Sequence, residues 1–390
     1  MRVCLVSNGP TGGFKSFLEN VAQLLLKNNC EVSIVFLGNI KVDIPGTDTI
    51  YFDLYKHQNG RKRLIQVHSL IEKIVHRLNP KRTLREAKLK HTLFQYQLRS
   101  AYAVESCTEV IDLSNYDCVI STEEVLCNYF TAKKVKAKKK IGYIHPDYLM
   151  AHFNRKIDTH YLGDLDYICT VSKAGARSLC KGIPSLKEKI VGIPNPLNVE
   201  AIIEKSMQEP DILFQKHLLN IVTVCRLDNS SKALDRLLEL VKLLKAAGDH
   251  FIWRIVGEGS YRAQMDTFIE ENQLHDSVIL VGFKENPLPL VKQSDLFVLQ
   301  SYYEGYPMSV CESLIVGTPV LITDYPSAPE QIENGVDGYI VKNHTDSIFH
   351  QLHYIINNPE ELKVLRKNLN RKDVQRFNTI GELLNIIGED

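Results

Sequence analysis

The stretch RVCLVSNGPTGGFKSFLENVAQLLLKNNCEVSIVFLG, residues 2–38, decides the fold. Its two ends are apolar runs rich in β-branched residues, which predicts two strands. Between them Phe17, Val21 and Leu24 recur at helical spacing after a glycine-containing loop, which predicts an amphipathic helix. Strands joined through a helix are parallel, so this segment is a βαβ unit and the sequence predicts an α/β fold.

The same alternation continues along the chain and restarts once. Pro194 and Pro196 mark a hinge between the two halves. Further strands are predicted at 117–122, 139–146, 166–172 and 189–196 before the hinge, and at 219–228, 251–259, 277–283, 295–301 and 318–324 after it. We predict two Rossmann-like, doubly wound domains, 1–197 and 198–368. A helical segment, 369–390, follows, and the sequence leaves open whether it crosses back to the first domain.

Composition places the chain among ordinary globular proteins. It has 390 residues, of which 44% are hydrophobic and 24% charged, enough for two domains with large cores. Nine cysteines form an odd number without a CxxC or other metal spacing, which favours a reducing compartment. No run reaches the roughly 18 apolar residues of a membrane span, and the N-terminal apolar segment is too short for a signal peptide. We therefore expect a cytoplasmic protein.

Positive charge is concentrated in one part of the first half. Residues 59–100 contain eleven Lys or Arg against two acids, a local net charge of +9 in a chain whose net charge is +1. Apolar residues recur there at roughly helical spacing with cations between them. Two interpretations stay open: a helix on an anionic membrane surface, at the inner face of the plasma membrane, or a solvated helix whose apolar stripe packs on the domain. Nucleic-acid binding is disfavoured because aromatic residues are sparse in the basic stretch.

Two places offer positive charge or open backbone to an anion. Gly12 and Gly13 follow the first strand and begin the first helix, where backbone N–H groups favour negative charge, although the spacing is not the GxGxxG fingerprint. A tight turn is the alternative interpretation. Arg226 and Lys232 lie at a strand end and just before a helix, which suits a diphosphate because Arg makes bidentate contacts and Lys supplies a point charge. The alternative is two solvated cations.

Three further strand ends carry candidate residues. Gly257 and Phe283 follow strands of the second half, where the backbone either faces a nucleotide or forms an ordinary turn. His145 ends a strand of the first half before Pro146, and its alternative is a structural or surface histidine. The remaining histidines show no HExxH or comparable spacing, so we expect no bound metal and no other cofactor.

The stretch EGYPMSVCE, residues 304–312, places two acids around a strand-to-helix junction. Pro307 suits the first position of a helix, so Glu304 lies in the loop and Glu312 on the helix. At 1.5 Å per residue the carboxylates are about 10 Å apart. That is wider than the roughly 5–9.5 Å of a carboxylate pair acting on one glycosidic bond. The spacing favours two hydroxyl-binding carboxylates with a helix N-terminus between them, and a salt-bridged surface Glu312 is the alternative.

The sequence closely resembles the retaining family-4 glycosyltransferases of the GT-B fold, over nearly its whole length. The most specific feature is the E-x7-E arrangement of Glu304 and Glu312. The segments that carry the resemblance, in family order, are TGG (11–13), YIHP (143–146), DYICTVSKAG (166–175), KIVGIPNP (189–196), VCRLDNSSK (224–232), RIVGEG (254–259), SDLFVLQSYYEGYPMSVCESLIVGTPV (294–320) and GVDGYIV (335–341). One departure is Ala233, where many relatives have Gly after the Lys.

The resemblance implies two Rossmann-like domains facing a central cleft, a nucleotide-sugar donor held mainly by the second domain, and an acceptor held by the first. Arg226 and Lys232 would hold the diphosphate, Glu312 the ribose, and Glu304 the donor sugar. The implied donor-binding set is Gly12, Gly13, Arg226, Lys232, Gly257, Phe283, Glu304, Gly305, Tyr306, Pro307, Met308, Ser309 and Glu312, and the implied catalytic set is Glu304, His145, Arg226 and Lys232.

The function implied is metal-independent, retaining transfer of a hexose or N-acetylhexosamine from a nucleotide sugar, with UDP as the expected nucleotide. The expected acceptor is a glycan, polyprenyl-pyrophosphate-linked, in capsule or O-antigen type surface polysaccharide synthesis. Alternatives are a GDP-mannose-dependent mannosyltransferase, a nucleotide-sugar epimerase, and a non-catalytic nucleotide-sugar-binding partner. Glu304→Ala and Lys232→Ala are each expected to abolish turnover and leave the fold intact.

Overall fold

The computed structural model of the protein describes residues 1–9, 12–38, 43–54, 84–210, 212, 214, 217–369 and 374–389, with the backbone alone for 84–92. The chain divides into two compact units, Met1–Pro196 with Ile380–Asp390, and Leu197–Thr379. The first boundary lies one residue from the predicted one. The predicted segment 369–390 is divided: residues up to Thr379 belong to the second unit and those from Ile380 onward to the first.

The first unit is built on a parallel sheet with helices between its strands. In the described residues its elements are β1 (Arg2–Ser7), α1 (Gly13–Lys27), β2 (Glu31–Phe36), β3 (Asp48–Tyr51), α2 (Leu84–Ser106), β4 (Ile111–Asp112), β5 (Cys118–Ser121), α3 (Leu126–Lys134), β6 (Val135–Lys136), β7 (Lys140–Ile144), α4 (Arg155–Leu162), β8 (Tyr167–Thr170), α5 (Lys173–Gly182), a 3₁₀ turn (Pro184–Lys189) and β9 (Ile190–Gly192). The order across the sheet is β3-β2-β1-β5-β7-β8-β9. Strands β4 and β6 form a separate pair.

Burial explains why the sequence marks these strands so clearly. In β1, β2 and β5 every residue except the first of β1 and of β2 is buried, because helices cover both faces of the sheet. Such strands are near-continuous apolar runs, and the predicted βαβ unit is confirmed with parallel pairing of β1 and β2. The sequence pattern does not predict strand β3, since its four residues are mostly exposed and carry no apolar run.

The last helix of the chain, following the second unit, packs in the first unit. Lys139 donates hydrogen bonds from Nζ to the carbonyl oxygens of Ile386 and Ile387, at 2.9 and 3.2 Å, and to that of Glu389. Tyr167 donates from its hydroxyl to the Glu389 carboxylate at 2.6 Å. Lys139 therefore satisfies carbonyl groups at the end of a helix, where positive charge is favourable.

The basic stretch 59–100 is only partly covered by the description. Helix α2 contains its C-terminal part, and residues 59–83 lie outside the described residues. No helix in the described ranges combines the length and the apolarity that crossing a membrane requires. Contact of this stretch with a membrane surface stays a prediction.

The second unit repeats the architecture. In the described residues its elements are α6 (Val199–Ser206), β10 (Leu219–Val224), α7 (Asn229–Lys232), α8 (Leu234–Ala246), β11 (Phe251–Val256), α9 (Arg262–Glu271), β12 (Val278–Gly282), α10 (Leu288–Gln293), β13 (Leu296–Leu299), α11 (Met308–Ile315), β14 (Val320–Thr323), α12 (Ala328–Gln331), β15 (Gly338–Val341), α13 (Thr345–Asn357), α14 (Glu360–Leu369) and a 3₁₀ turn (Val374–Phe377). The first unit's final helix, α15 (Ile380–Gly388), follows it. The sheet order is β12-β11-β10-β13-β14-β15, all parallel.

This sheet order indicates where on the second unit a ligand is expected to bind. The chain winds outward from β10 in one direction to β12, returns past β10 to β13, and winds outward again to β15. Strands β10 and β13 are therefore neighbours at the point where the winding reverses, and open α/β sheets bind ligands outside the carboxyl ends of the strands at such a point. The core behind them includes Trp253, whose indole N–H donates to the Thr223 hydroxyl at 2.9 Å.

Candidate active site

Two motifs far apart in sequence meet at the carboxyl ends of β10 and β13. The Lys232 ammonium and the Glu304 carboxylate form an ion pair, with 2.5 Å between Nζ and Oε1. Ser301 donates from its hydroxyl to the same carboxylate oxygen at 2.5 Å. The two charged side chains are 17% and 11% exposed. The residues predicted for the diphosphate and for the donor sugar therefore form one charged pair in the described structure.

Electrostatics keep Lys232 protonated in this position. Burial alone lowers the pKa of the Lys232 ammonium, but the negative charge of Glu304, with smaller effects of Cys225 and of the hydrogen bond to Glu304, outweighs it, and the pKa is raised. The ammonium is thus a fixed positive charge at neutral pH. A fixed charge of this kind stabilises negative charge that develops on a leaving phosphate.

A second network fixes the loop that carries Glu304. The Arg236 guanidinium lies over the Tyr302 ring, 4.8 Å from its centroid, and donates to the Asn343 side chain at 2.7 Å and to the Gln300 carbonyl oxygen. Asn343 donates to the Tyr302 carbonyl oxygen at 2.7 Å, and the Tyr302 N–H donates to the Ser231 carbonyl at 2.8 Å. These contacts tie the 300–304 loop to the start of α8.

Sequence analysis did not identify this supporting network. Its one visible signal is Arg236, an arginine among the apolar positions of the helix ALDRLLELVKLL, and it is buried in the structure. A buried Arg requires partners, so its place in that pattern indicates a polar network at the helix start.

Helix α11 begins one residue later than predicted, with Pro307 as its N-cap and Met308 as its first residue. Among the described residues no side chain caps its N-terminus. Gln331 donates to the Pro307 carbonyl oxygen at 3.0 Å and accepts a hydrogen bond from the Tyr325 hydroxyl at 2.7 Å. These hydrogen bonds fix the Gly305–Ser309 segment. The N–H groups of the first helical turn come directly after the loop that carries Glu304.

Glu312 lies in the second turn of α11, half-buried. Burial raises the pKa of its carboxyl group to about 7, and the positive charge of Lys205 on α6 opposes that shift. A carboxyl group with this pKa changes charge near neutral pH. Its hydrogen-bonding character toward a hydroxyl group changes at the same pH.

Arg226 differs from Lys232 in its surroundings. Its side chain is 70% exposed, and it pairs loosely with Asp228, 3.6 Å away. Asp228 caps α7 by accepting from the Ser230 N–H at 3.0 Å. Of the two cations predicted for a diphosphate, one is thus open to solvent and the other is held in a close ion pair.

Gly257 and Phe283 stand at the ends of the two strands on the other side of β10. Gly257 has φ 143° and Gly282, before Phe283, has φ 84°, both in the region that favours glycine. The Phe283 side chain is 70% exposed. Along the carboxyl edge the order is therefore Phe283 after β12, Gly257 after β11, Arg226 after β10 and Glu304 after β13. Three strand spacings of about 4.8 Å give a row about 14 Å long.

Ala233 has a left-handed backbone, with φ 51° and ψ 47°, between α7 and α8. Glycine adopts this conformation without strain, which explains why Gly suits the position; the structure gives no reason for the departure to Ala.

Ala233→Val is expected to lower the free energy of unfolding by at least about 2 kcal/mol, because a β-branched residue strongly disfavours this conformation and the site is fully buried. Ala233→Gly is the matched control. It should change stability by less than about 1 kcal/mol, because relief of backbone strain opposes the loss of a buried methyl group. Urea unfolding followed by circular dichroism measures both, and equal effects of the two substitutions would contradict the assignment.

The predicted residues of the first unit lie at the carboxyl edge of its own sheet. Gly12 has φ 55° and precedes α1, and a side-chain carbon at Gly12 or Gly13 would meet no described atom within 4 Å. His145 follows β7 and its Nε2 contacts the Thr122 carbonyl oxygen at 2.9 Å. Since a carbonyl oxygen only accepts, Nε2 carries the proton.

His145 is neutral at neutral pH. Burial lowers the pKa of its imidazole to about 4, although the hydrogen bond to Thr122 opposes the shift. The rings of Phe14 and Phe17 stand edge-on to the imidazole at 5.0 and 4.8 Å. The histidine therefore offers a lone pair on Nδ1, and it serves as a hydrogen-bond acceptor and not as a cation.

In the ranges that the structure describes, no three His, Cys, Asp or Glu side chains are grouped so as to hold a metal ion. The expectation of metal-independent chemistry stays a prediction.

The nine cysteines are free thiols, and most of those in the predicted strands are buried.

Residues 204–372 match the family model described as Glycosyl transferases group 1. The resemblance to glycosyltransferases drawn from the motifs is confirmed.

Two curated relatives and one solved structure are similar. The chain is 35% identical over 130 residues to the amylovoran biosynthesis glycosyltransferase AmsK of Erwinia amylovora, covering 31% of this chain and 32% of that protein. It is 26% identical over 195 residues to the N-acetylgalactosamine-N,N'-diacetylbacillosaminyl-diphospho-undecaprenol 4-alpha-N-acetylgalactosaminyltransferase of Campylobacter jejuni, covering 47% and 50%. The match thus spans about a third of the first relative and half of the second.

The solved structure is that of a mutant of Staphylococcus aureus TarM in complex with fondaparinux, alpha-GlcNAc-glycerol and UDP. It is similar over 100% of both chains, with a TM-score of 0.70 and 14% identity. At this identity the similarity concerns the fold, and the prediction of a GT-B fold built from two Rossmann-like domains is confirmed.

Proposed function

We propose that the protein transfers a hexose or N-acetylhexosamine from a nucleotide sugar to a glycan acceptor, with retention of configuration, in surface polysaccharide synthesis. The observation that carries this proposal is the row along the carboxyl edge of the second sheet. It begins with the exposed Phe283 ring, continues past the packed turn at Gly257, whose N–H donates to the Gly282 carbonyl, to the cations, and ends with the Lys232–Glu304 pair. This sequence of groups matches a base, a diphosphate and a sugar.

The chemistry follows from the charges. Bond breaking at the anomeric carbon leaves negative charge on the nucleoside diphosphate, and Lys232, Arg226 and the N–H groups at the start of α11 stabilise it. Glu304 accepts hydrogen bonds from hydroxyl groups of the donor sugar, and its carboxylate is held in place by Ser301. The departing phosphate takes the proton of the acceptor hydroxyl, so the reaction requires no protein nucleophile. The cationic groups stabilise the leaving diphosphate in place of a metal ion.

We propose UDP as the nucleotide and a polyprenyl-diphosphate-linked glycan as the acceptor. The Campylobacter relative carries a diphospho-undecaprenol acceptor in its name, and the TarM complex contains UDP. The local charge of +9 over residues 59–100 supports contact with an anionic membrane surface. A GDP-mannose donor is the second candidate, since fold and charges suit either base.

A donor screen tests the proposal. The protein is incubated with UDP-glucose, UDP-galactose, their N-acetylhexosamine counterparts and GDP-mannose, together with short-chain polyprenyl-diphosphate sugars, and products are detected by mass spectrometry. We expect a mass gain of one sugar from one UDP donor, and NMR should show the donor's anomeric configuration in the product. Conversion of the donor without acceptor would favour an epimerase. Nucleotide-sugar binding without any product would favour a non-catalytic partner, and an inverted product would overturn the mechanism.

The pKa of Glu312 gives a pH dependence to donor binding. As pH rises from about 6 to 8 the carboxyl group ionises, and the ionised form accepts hydrogen bonds from the ribose hydroxyls better than the protonated form does. The affinity for UDP should therefore increase, by up to about tenfold if only the ionised form binds. Isothermal titration of UDP at several pH values measures the change.

Glu312→Gln is the matched control for this prediction, because the diphosphate itself titrates in the same range. The variant should keep only the part of the pH dependence that the diphosphate contributes. An identical pH profile in wild type and variant would contradict a ribose-binding role for Glu312.

A further inference from the structure

The first unit has a polar cluster that sequence analysis did not identify, in the loop after β5. The strand ends at Ser121, and Glu123 and Glu124 follow it. Strand β5 lies between β1 and β7, so this loop is flanked by Ser7 and Asn8 on one side and by His145 on the other. The cluster thus lies at the carboxyl edge of the sheet, at the centre of its strand order.

Glu123 is held in one orientation from β1. The Ser7 hydroxyl donates to Glu123 Oε1 at 2.5 Å, and the Asn8 backbone N–H donates to the same oxygen at 3.0 Å. No hydrogen bond to the second oxygen, Oε2, occurs within the part of the chain that the structure describes. Two donors on one oxygen fix a half-buried carboxylate and leave the other oxygen able to accept hydrogen bonds.

The next residue, Glu124, has a carboxylate oxygen whose hydrogen-bonding capacity is not satisfied. Its Oε2 is buried and has no hydrogen-bond partner among the described residues. Burial raises the pKa of this carboxyl group to about 7, against hydrogen bonds from the backbone N–H groups of Glu124 and His145. A buried polar atom without a partner is rare in native proteins and indicates a missing water molecule or ligand.

The same loop is hydrogen-bonded to His145. The Thr122 carbonyl oxygen accepts from His145 Nε2 at 2.9 Å, and the His145 backbone N–H lowers the pKa of the Glu124 carboxyl group. The imidazole therefore keeps Nδ1 as an acceptor. Glu123, Glu124 and His145 together present hydrogen-bond acceptors and, with the imidazole neutral, no positive charge.

A ligand for this cluster must donate hydrogen bonds. A metal ion is disfavoured, because within the described residues these side chains are not grouped as metal ligands. A phosphate or carboxylate is disfavoured by the negative charge of Glu123. Hydroxyl groups of a sugar fit, and the half-buried Phe14 ring beside His145 supplies the apolar surface that such sites also contain.

We propose that Glu123, in the loop that also carries Glu124 and is hydrogen-bonded to His145, forms the subsite that binds hydroxyl groups of the acceptor sugar, with the Phe14 ring beside His145 as its apolar surface. The proposal rests on the proposed function, together with the expectation from the resemblance that the first domain holds the acceptor. Glu123 contacts the hydroxyl group through Oε2. Glu124 is a positioning residue that fixes the loop and the backbone of His145.

Acceptor binding and donor binding are measured separately, so that the two proposals fail independently. The acceptor probes are short-chain polyprenyl-diphosphate derivatives of glucose, galactose, N-acetylglucosamine and N-acetylgalactosamine, followed by saturation-transfer difference NMR. UDP binding is followed by isothermal titration. We expect Glu123→Ala to weaken the best-binding probe at least about tenfold and to leave UDP affinity within about twofold of wild type. Glu188→Gln, an exposed substitution in the same unit, should change neither.

Glu123→Gln is the control for a folding defect, because glutamine keeps the side-chain shape and one oxygen that accepts hydrogen bonds from Ser7 and Asn8. It should keep the wild-type melting temperature and weaken the probe by an intermediate amount. Unchanged probe affinity in Glu123→Ala overturns the proposal, and so does a wild-type protein that binds none of the four probes. A wild-type protein that binds no nucleoside diphosphate would instead overturn the proposed function.

Discussion

Glu304→Ala is expected to reduce glycosyl transfer at least about a thousandfold and to destabilise the second unit. The loss of transfer follows because a preorganised group beside the reacting sugar contributes about 10²–10³ in rate, and Lys232 is displaced with it. The loss of stability follows because the Lys232 ammonium, which is largely shielded from water, loses the carboxylate that neutralises its charge. Breaking such a pair costs about 3–5 kcal/mol.

This expectation differs from the one drawn from the sequence, in which the fold stays intact. The reason is the 2.5 Å contact between Lys232 and Glu304. Because of it, either single substitution leaves a poorly solvated charge without its partner, in addition to removing a functional group. Loss of activity in Glu304→Ala alone would therefore not identify Glu304 as a donor-contacting residue.

The double variant Lys232→Met/Glu304→Gln separates the two effects. It removes both charges and keeps side-chain volume, so the melting temperature should return most of the way to the wild-type value, because replacing both partners of a buried pair is often nearly neutral. Transfer should remain at the level of the single variant. Transfer within about tenfold of wild type in either protein would contradict the assigned roles.

Gly257→Ala is expected to lower the free energy of unfolding of the second unit by at least about 3 kcal/mol. A side-chain carbon at this position would lie 1.9 Å from the Cys225 carbonyl oxygen, and φ is 143°. The neighbouring backbones have no room to move apart, since the Cys225 N–H donates to the Val256 carbonyl at 3.0 Å and the Leu227 N–H donates to the Glu258 carbonyl at 2.9 Å. The same movement would displace Arg226.

Gly248→Ala is the matched control. This glycine also has a left-handed backbone, with φ 82°, but a side-chain carbon there would meet no described atom within 4 Å. It should cost only about 1 kcal/mol. Urea unfolding of both variants gives the comparison, and a difference below about 1 kcal/mol would mean that the loops after β10 and β11 are not packed as described.

Much of the fold could be predicted because its strands are buried on both faces. The predicted runs at 219–228 and 251–259 contain β10 and β11. The strands end earlier than predicted because the residues after them, such as Cys225 and Gly257, belong to packed loops. Strand β15, at Gly338–Val341, is not predicted because it follows a turn and its two central residues are only half-buried, unlike the fully buried β13 and β14.

The candidate site was only partly predictable. Carboxyl ends of parallel strands are where ligands bind, so Arg226, Lys232 and Glu304 stand out from sequence. Their direct contact does not, because 72 residues separate Lys232 from Glu304 and the sheet order β10-β13 brings them together. Glu123 shows no periodic or motif signal, and only its contacts with Ser7 and Asn8 reveal it.

The most direct test of the central claim is isothermal titration of UDP into wild type and the Lys232→Met/Glu304→Gln variant, with EDTA present. The claim is that the second unit holds a nucleotide sugar through this charged pair without a metal ion. We predict that wild type binds UDP and that the variant binds at least about tenfold more weakly, which corresponds to one lost charge-assisted contact. Equal UDP affinity in the two proteins, or no binding of UDP, GDP or ADP by wild type in EDTA, would contradict it.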